Sequence, residues 1–160
     1  MTDPSRGWDR RFAVQGWPAE PDPLLTELVA PLPAGRALDI GSGPGRNSLW
    51  LAARGWHVTA LGASAVALAQ AAQRAATLGV QLATVQADAR RWTPPPNSFD
   101  LIVITNLHPG ADQLTGLLTR VSRTPEDQGA ETPRDIAVLA WATRCEAMPS
   151  GRDGTTAKKR

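Results

Sequence analysis

The chain has 160 residues, of which 42% are hydrophobic and 20% are charged. This composition is that of one ordinary globular domain and argues against wholesale disorder. The net charge of +2 is not spread over the chain, because residues 152–160 carry +3 and the remainder about −1. We therefore expect no nucleic-acid partner, since a domain-wide basic surface is missing.

The cysteine content and the apolar runs exclude further classes. Cys145 is the only cysteine, so an intrachain disulfide and a multi-cysteine zinc site are excluded and no metal is expected. The longest apolar run, residues 136–142, is too short to cross a bilayer, and no apolar stretch of signal-peptide length opens the chain. These features predict a cytoplasmic protein without a membrane partner.

Strand and helix signals alternate along the chain after an N-terminal segment rich in Trp and Pro. A first helix is predicted from Pro23, capped by Asp22, to Val29. Then, in chain order, the patterns predict a strand at 36–40, a helix at 46–54, a strand at 57–61, a helix after Ser64 to Leu78, strands at 80–85 and 99–104, a helix at 111–122 and a strand at 136–141. This order predicts parallel βαβ units with ligands beyond the carboxyl ends of the strands.

A glycine-rich turn follows the first predicted strand directly. Gly41, Gly43 and Gly45 would let the backbone turn sharply and approach a ligand that a Cβ would block. A phosphate-binding P-loop would need Gly-Lys-Ser/Thr after the turn, which is absent. The dinucleotide fingerprint would need glycine at position 46, where Arg46 stands, so an NAD(P) oxidoreductase is disfavoured.

The sequence around this turn, residues 37–47 (ALDIGSGPGRN), resembles the first motif of class I S-adenosylmethionine-dependent methyltransferases. The resemblance covers roughly the first 110 residues and is nearest to the small-molecule branch that includes tellurite-resistance methyltransferases. It continues in the segments 8–10, 17–21, 51–56, 86–88 and 98–103. It implies a Rossmann-like three-layer α/β sandwich with a mostly parallel sheet, and S-adenosyl-L-methionine as the cofactor.

The resemblance also implies a set of site residues. Asp39 would orient the turn or the ammonium group of the cofactor, Asp88 would accept from the adenine amino group, and Asn106 would face the cofactor from the other side. His108 is the candidate proton acceptor for catalysis. The full predicted cofactor set is Asp39, Gly41, Ser42, Gly43, Gly45, Asn47, Gly62, Ala63, Asp88, Ala89 and Asn106.

The chain departs from the family pattern at two places. Gly62 stands where the second strand normally ends in an acid that holds both ribose hydroxyls, and no Asp or Glu lies between Ile40 and Ala87. The C-terminal antiparallel hairpin of the family is not recognisable, so we expect a shortened sheet. An uncovered edge would make a homodimer plausible.

These observations predict three segments: an N-terminal cap with a helix at 1–34, the cofactor-binding domain at 35–142 and a polar tail at 143–160. The expected function is methyl transfer to a small-molecule nucleophile. The rival hypothesis is a catalytically impaired remnant or binding module that needs a partner, favoured by Gly62 and the short C-terminus. Trp8, Phe12 and Trp17 could either form an aromatic flap over a ligand or simply dock the N-terminus.

Overall fold

A computed structural model describes residues 4–95, 98–105, 107, 111–121 and 137–141. The five strands are β1 (Arg36–Ile40), β2 (His57–Gly62), β3 (Leu82–Gln86), β4 (Leu101–Thr105) and β5 (Ala137–Trp141). The five helices are α1 (Pro4–Val14), α2 (Pro23–Val29), α3 (Arg46–Ala53), α4 (Ala65–Leu78) and α5 (Ala111–Val121).

The strands form one sheet in the order β3-β2-β1-β4-β5, and every neighbouring pair is parallel. The chain moves outward from β1 to β3 and then crosses back to place β4 on the other side of β1. This reversal opens a crevice beyond the carboxyl ends of β1 and β4, which is where ligands bind in open α/β sheets. The predicted Rossmann-like parallel fold is confirmed.

Apolar side chains alternate between the two faces of the central strands and bury two separate clusters. On one face β1, β2 and β4 pack against α2 and α3; on the other they pack against α5. The first cluster contains Leu25, Val29, Ala37, Leu51, Trp56, Val58, Leu101 and Val103. The second contains Leu38, Ile40, Leu61, Ile102, Ile104, Leu117 and Val121. Helices thus cover both faces, as in the predicted three-layer sandwich.

Two strands begin two residues later than predicted, and β2, β3 and β4 each end one residue later. β3 begins at Leu82 rather than at position 80, because Gly79 adopts a left-handed conformation and the Val80 amide donates to the Ala75 carbonyl, so Val80 still belongs to the helix cap. β4 begins at Leu101 rather than at position 99, and just before it the Asp100 amide donates to the Arg36 carbonyl at 2.8 Å.

The sequence prediction missed α1 altogether. It lies over the N-terminal end of α4 and belongs to the segment that was expected only to cap the domain. The helical pattern in its sequence is weak, because only Trp8 and Phe12 repeat at a four-residue spacing and the residues around them include several arginines.

Some predictions fall on parts of the chain that are not described. The predicted polar tail lies outside the described residues, and so does any segment where the family hairpin would stand. Dimerisation through a sheet edge stays a prediction. Within the described ranges, no helix combines the length and the apolar character needed to cross a membrane.

Candidate functional site

The glycine turn connects β1 to α3 at the centre of the crevice. Gly41, Gly43 and Gly45 have φ angles of +75°, +53° and +86°. A Cβ on Gly45 would lie 2.8 Å from the Cβ of Ala71 in α4, so the close approach of the turn to α4 requires glycine at that position. The Gly41 and Ser42 amides both donate to the Leu61 carbonyl, at 2.8 and 3.1 Å. The turn is therefore a rigid backbone cradle fastened to the end of β2.

Asp39 is buried beneath this turn, with only 1% of its surface exposed. The Ser48 hydroxyl donates to Asp39 Oδ2 at 2.6 Å, whereas Oδ1 is buried and has no hydrogen-bond partner in the described structure. Burial raises the pKa of Asp39 to about 6, against the opposing effects of the Ser48 hydrogen bonds and the charge of Arg46. A buried acceptor without a partner is costly, so Asp39 is suited to receive a donor from a ligand.

Asn47 lies at the start of α3 and links three elements around the crevice. Its Oδ1 accepts from the Asp22 amide at 2.8 Å, and its Nδ2 donates to the Thr105 hydroxyl at 3.0 Å. Asn47 is 3% exposed. Its amide thus holds the start of α2 and the end of β4 against α3, which supports the crevice; its predicted direct contact with the cofactor stays a prediction.

The end of β2 is close to the glycine turn. A Cβ on Gly62 would lie 3.8 Å from Ser42 Oγ, which is ordinary van der Waals contact. The Gly62 carbonyl accepts from the Ala87 amide at 3.0 Å, and the Ala63 carbonyl accepts from Gln86 Nε2 at 3.3 Å. These bonds join the ends of β2 and β3, and the predicted contact of Gly62 and Ala63 with the cofactor stays a prediction.

Asp88 follows β3, and Arg90 engages both oxygens of its carboxylate. Arg90 Nε lies 2.9 Å from Oδ1, and Nη2 lies 2.6 Å from Oδ2. This pairing is the main reason that the pKa of Asp88 lies below its usual range. The neighbouring Ala89 carbonyl accepts from Arg120 Nη2 at 3.0 Å. An adenine amino group would have to share Asp88 with Arg90, a competition that the sequence analysis did not consider.

Helix α1 brings aromatic and acidic side chains to the same region. The Phe12 ring lies 3.4 Å from the position that a Cβ on Gly43 would take, and Phe12 is buried. It stacks with Trp8 at 5.8 Å between ring centroids and contacts Trp17 at 5.0 Å. The aromatic group thus docks α1 on the glycine turn, as one of the two hypotheses expected, and its role as a flap over a ligand stays a prediction.

Asp9 of α1 is a residue that the sequence analysis did not single out. Its Oδ1 accepts from the Ser64 hydroxyl at 2.5 Å and from the Val66 amide at 3.2 Å, where α4 begins. A contact across 55 residues leaves no local pattern by which it could be predicted. Asn106 and His108 lie outside the described residues, and their predicted roles stay predictions.

The parallel sheet, its central crevice and the glycine turn after β1 define a class I S-adenosylmethionine-dependent methyltransferase fold. A family described as Methyltransferase domain matches residues 37–129, more than half of the chain. The chain belongs to this methyltransferase family. Its assignment to the tellurite-resistance branch stays a prediction.

Similar proteins agree with this assignment. The chain is 30% identical over 118 residues to a protein-L-isoaspartate O-methyltransferase from Methanoregula boonei, with 72% of this chain and 54% of that protein covered. The chain therefore spans about half the length of this curated relative.

Two solved structures share the fold. One is described by the conversion of a disulfide bond into a thioacetal group during echinomycin biosynthesis. Its sequence is 28% identical and its TM-score is 0.65, and the match covers 75% of this chain and 56% of that chain. The other is a magnesium protoporphyrin IX methyltransferase from Synechocystis PCC 6803 with bound SAH. It is 21% identical with a TM-score of 0.55, over 74% and 64% of the two chains.

The residues of the crevice fit the cofactor of this family, S-adenosylmethionine, in part. The glycine turn offers a cradle that side chains would fill, and Asp39 Oδ1 is a buried acceptor in need of a donor such as the cofactor's amino group. The ribose is the exception, because Gly62 offers no carboxylate for its hydroxyls.

Proposed function

We propose that this chain catalyses S-adenosylmethionine-dependent methyl transfer to a small-molecule nucleophile. The observation that carries the proposal is the buried Asp39, whose Oδ1 has no hydrogen-bond partner in the described structure and which lies at the end of β1, next to the three left-handed glycines of the turn. The turn itself needs glycine for its backbone and its packing, because a Cβ would lie 3.2 Å from Leu107 at Gly41, 3.4 Å from Phe12 at Gly43 and 2.8 Å from Ala71 at Gly45. The unpartnered carboxylate oxygen beside it is the feature that calls for a donor from a ligand.

The protein's own residues would act by positioning. The turn would hold the methionine portion of the cofactor, and Asp39 would orient its amino group through an ion pair. S-adenosylmethionine supplies an electrophilic methyl group on sulfonium, so the chain needs to align a nucleophile with it and exclude water. His108 is our candidate for accepting the proton of the nucleophile, on the basis of its place after β4 in the sequence.

A second candidate acceptor is a carboxylate in a protein. The relative from Methanoregula boonei, 30% identical over 72% of this chain, is named for O-methylation of protein L-isoaspartate. The similarity to the structure described by echinomycin biosynthesis, over 75% of the chain with a TM-score of 0.65, supports the small-molecule acceptor. Both candidates use the same cofactor site and differ only in what enters the crevice.

Calorimetric titration with S-adenosylmethionine and S-adenosylhomocysteine, with NADH as the control, tests the cofactor site first. Binding of the two sulfur ligands alone supports the proposal, and no binding to the folded chain contradicts it. Methyl transfer from labelled cofactor to a panel of small thiols, amines and hydroxylated compounds is then compared with transfer to an isoaspartyl peptide. Binding without transfer to any acceptor would favour the impaired binding module.

A further inference from the structure

The crevice lacks a ribose ligand at the end of β2, although packing leaves room for one. A Cβ on Gly62 would meet nothing nearer than 3.8 Å, from Ser42 Oγ and Leu68 Cδ2. The φ angle of Gly62 is not among the positive ones of this chain. Neither sterics nor backbone conformation therefore requires glycine here, and an acid could stand at this position.

A carboxylate from another element lies at this end of the sheet. Asp9 reaches from α1 to Ser64, which is two residues beyond Gly62, and its Oδ1 accepts from the Ser64 hydroxyl and the Val66 amide at 2.5 and 3.2 Å. Its other oxygen, Oδ2, has no hydrogen-bond partner in the part of the chain that is described. Asp9 is half-buried, so this oxygen is a partly exposed acceptor beside the start of α4, the helix that follows β2.

Contacts one turn beyond this carboxylate also fix the position of α1. One turn along the helix, Phe12 covers Gly43 of the glycine turn, and the Phe12 carbonyl accepts from Gln70 Nε2 of α4 at 3.2 Å. Asp9 and Phe12 are three residues apart and thus share one face of α1. That face contacts both the glycine turn and the start of α4.

We propose that Asp9 supplies, from the N-terminal helix, the carboxylate that β2 lacks, and that it accepts hydrogen bonds from the ribose hydroxyls of bound S-adenosylmethionine. This inference rests on the proposed function. The two hydrogen bonds at Oδ1 orient the carboxylate, and Oδ2 accepts from the ribose. Hydrogen bonds to an ionised acceptor are among the stronger ones in proteins, so a single residue contributes strongly to affinity.

The test compares S-adenosylhomocysteine with its 2′-deoxyribose analogue by calorimetric titration. We expect Asp9→Asn to weaken S-adenosylhomocysteine binding by about 10-fold to 100-fold. The wild-type chain should bind the deoxy analogue more weakly than the parent ligand, whereas the Asp9→Asn variant should distinguish the two far less. Glu27→Gln, which removes one exposed carboxylate from α2, is the matched control and should leave both affinities unchanged.

A rescue variant separates ligand binding from helix capping. Asparagine is a good acceptor at helix N-termini, so Asp9→Asn should keep α1 docked, and a thermal melt measures this directly. Adding Gly62→Asp to Asp9→Asn returns a carboxylate to the ribose site and should restore affinity for S-adenosylhomocysteine, together with the discrimination against the deoxy analogue.

Three results would overturn the proposal. Asp9→Asn could bind S-adenosylhomocysteine as the wild type does, which refutes the role of Asp9 and leaves the proposed function standing. It could weaken both ligands by the same factor, which would identify Asp9 as a cap of α4 only. Absence of binding by the wild-type chain would refute the inference and the proposed function together.

Discussion

Replacing the buried Asp39 by asparagine should change how the stability of the protein depends on pH. Burial raises the pKa of Asp39 from 3.8 to about 6 in the folded chain. The folded state therefore binds a proton more tightly than the unfolded state does. The stabilisation that this provides is fully present below about pH 4 and is lost as the pH rises through about 6. The wild type should accordingly become less stable across this window.

The size of the effect follows from the shift. A difference of about two pKa units corresponds to about 3 kcal/mol of unfolding free energy at about 1.4 kcal/mol per unit. The Asp39→Asn variant cannot titrate at this position, so its unfolding free energy does not fall for this reason as the pH rises through about 6. Its amide retains an oxygen for the Ser48 hydroxyl, and any cost of its unpartnered NH₂ group is the same at every pH. The difference between the two proteins should therefore change by about 2–3 kcal/mol between about pH 4 and pH 7.5, in favour of the variant.

Urea unfolding followed by tryptophan fluorescence measures this difference, since the chain has six tryptophans. Asp88→Asn is the control, because Arg90 lowers the pKa of Asp88. An acid with a lowered pKa stabilises the fold above its ordinary pKa of 3.8 and loses that contribution as the pH falls through this region. The control should therefore stay nearly constant above about pH 5 and change in the opposite direction below it. If wild type and Asp39→Asn kept a constant difference over that whole pH range, the raised pKa of Asp39 would be refuted.

Three further substitutions test other parts of the crevice. Gly43→Val should abolish binding of S-adenosylhomocysteine in calorimetry, because it places a side chain in the cradle at a φ of +53°. Asn47→Ala should lower the unfolding free energy by about 2 kcal/mol or more in urea, since it leaves two buried polar groups without their partner. Arg90→Ala should strengthen binding of S-adenosylhomocysteine severalfold if Asp88 accepts from adenine, because it removes the guanidinium from both carboxylate oxygens and leaves only the backbone amide of residue 90 on Oδ1.

Each of these has a matched control or a clear contrary result. Gly79→Val introduces the same side chain at a φ of +68° away from the crevice, so it should destabilise the fold and leave binding intact. Normal binding by Gly43→Val would reject the glycine turn as the cofactor site. A loss well under about 1 kcal/mol for Asn47→Ala would mean that water replaces its bridge. Arg91→Ala removes a neighbouring charge; an equal gain in affinity there would show that general electrostatics, not the Arg90 contact, limits binding.

The strand–turn–helix unit around the glycine turn could be predicted from sequence because its signals are local. β1 was predicted at 36–40 and lies at Arg36–Ile40, and the helix expected after Ser64 begins at Ala65 with the Ser64 hydroxyl accepting from the Ala67 amide. In both cases a short apolar run or a capping residue is sufficient to define the element. The order of motifs then predicted the fold and the position of the cofactor site.

The parts that could not be predicted depend on contacts between distant segments. Asn47 was expected to contact the cofactor, yet its amide bridges Asp22 and Thr105, 25 and 58 residues away. The pairing of Asp88 with Arg90, in contrast, lies within three residues, and a closer consideration of local charge would have found it. Sequence patterns therefore predicted a set of residues for the crevice but not which of them are already engaged by other side chains.

The contribution of α1 changes the expected division of the chain. The N-terminal segment was predicted as a cap separate from the cofactor-binding domain, but Phe12 lies on the glycine turn and Asp9 lies at the start of α4. These contacts join the two strand ends between which a cofactor would extend. A ligand that touches both ends would also stabilise the docking of α1, because binding to the docked form alone shifts the equilibrium toward it. Loss of the acid from β2 is therefore compatible with cofactor binding if the N-terminal helix contributes the carboxylate instead.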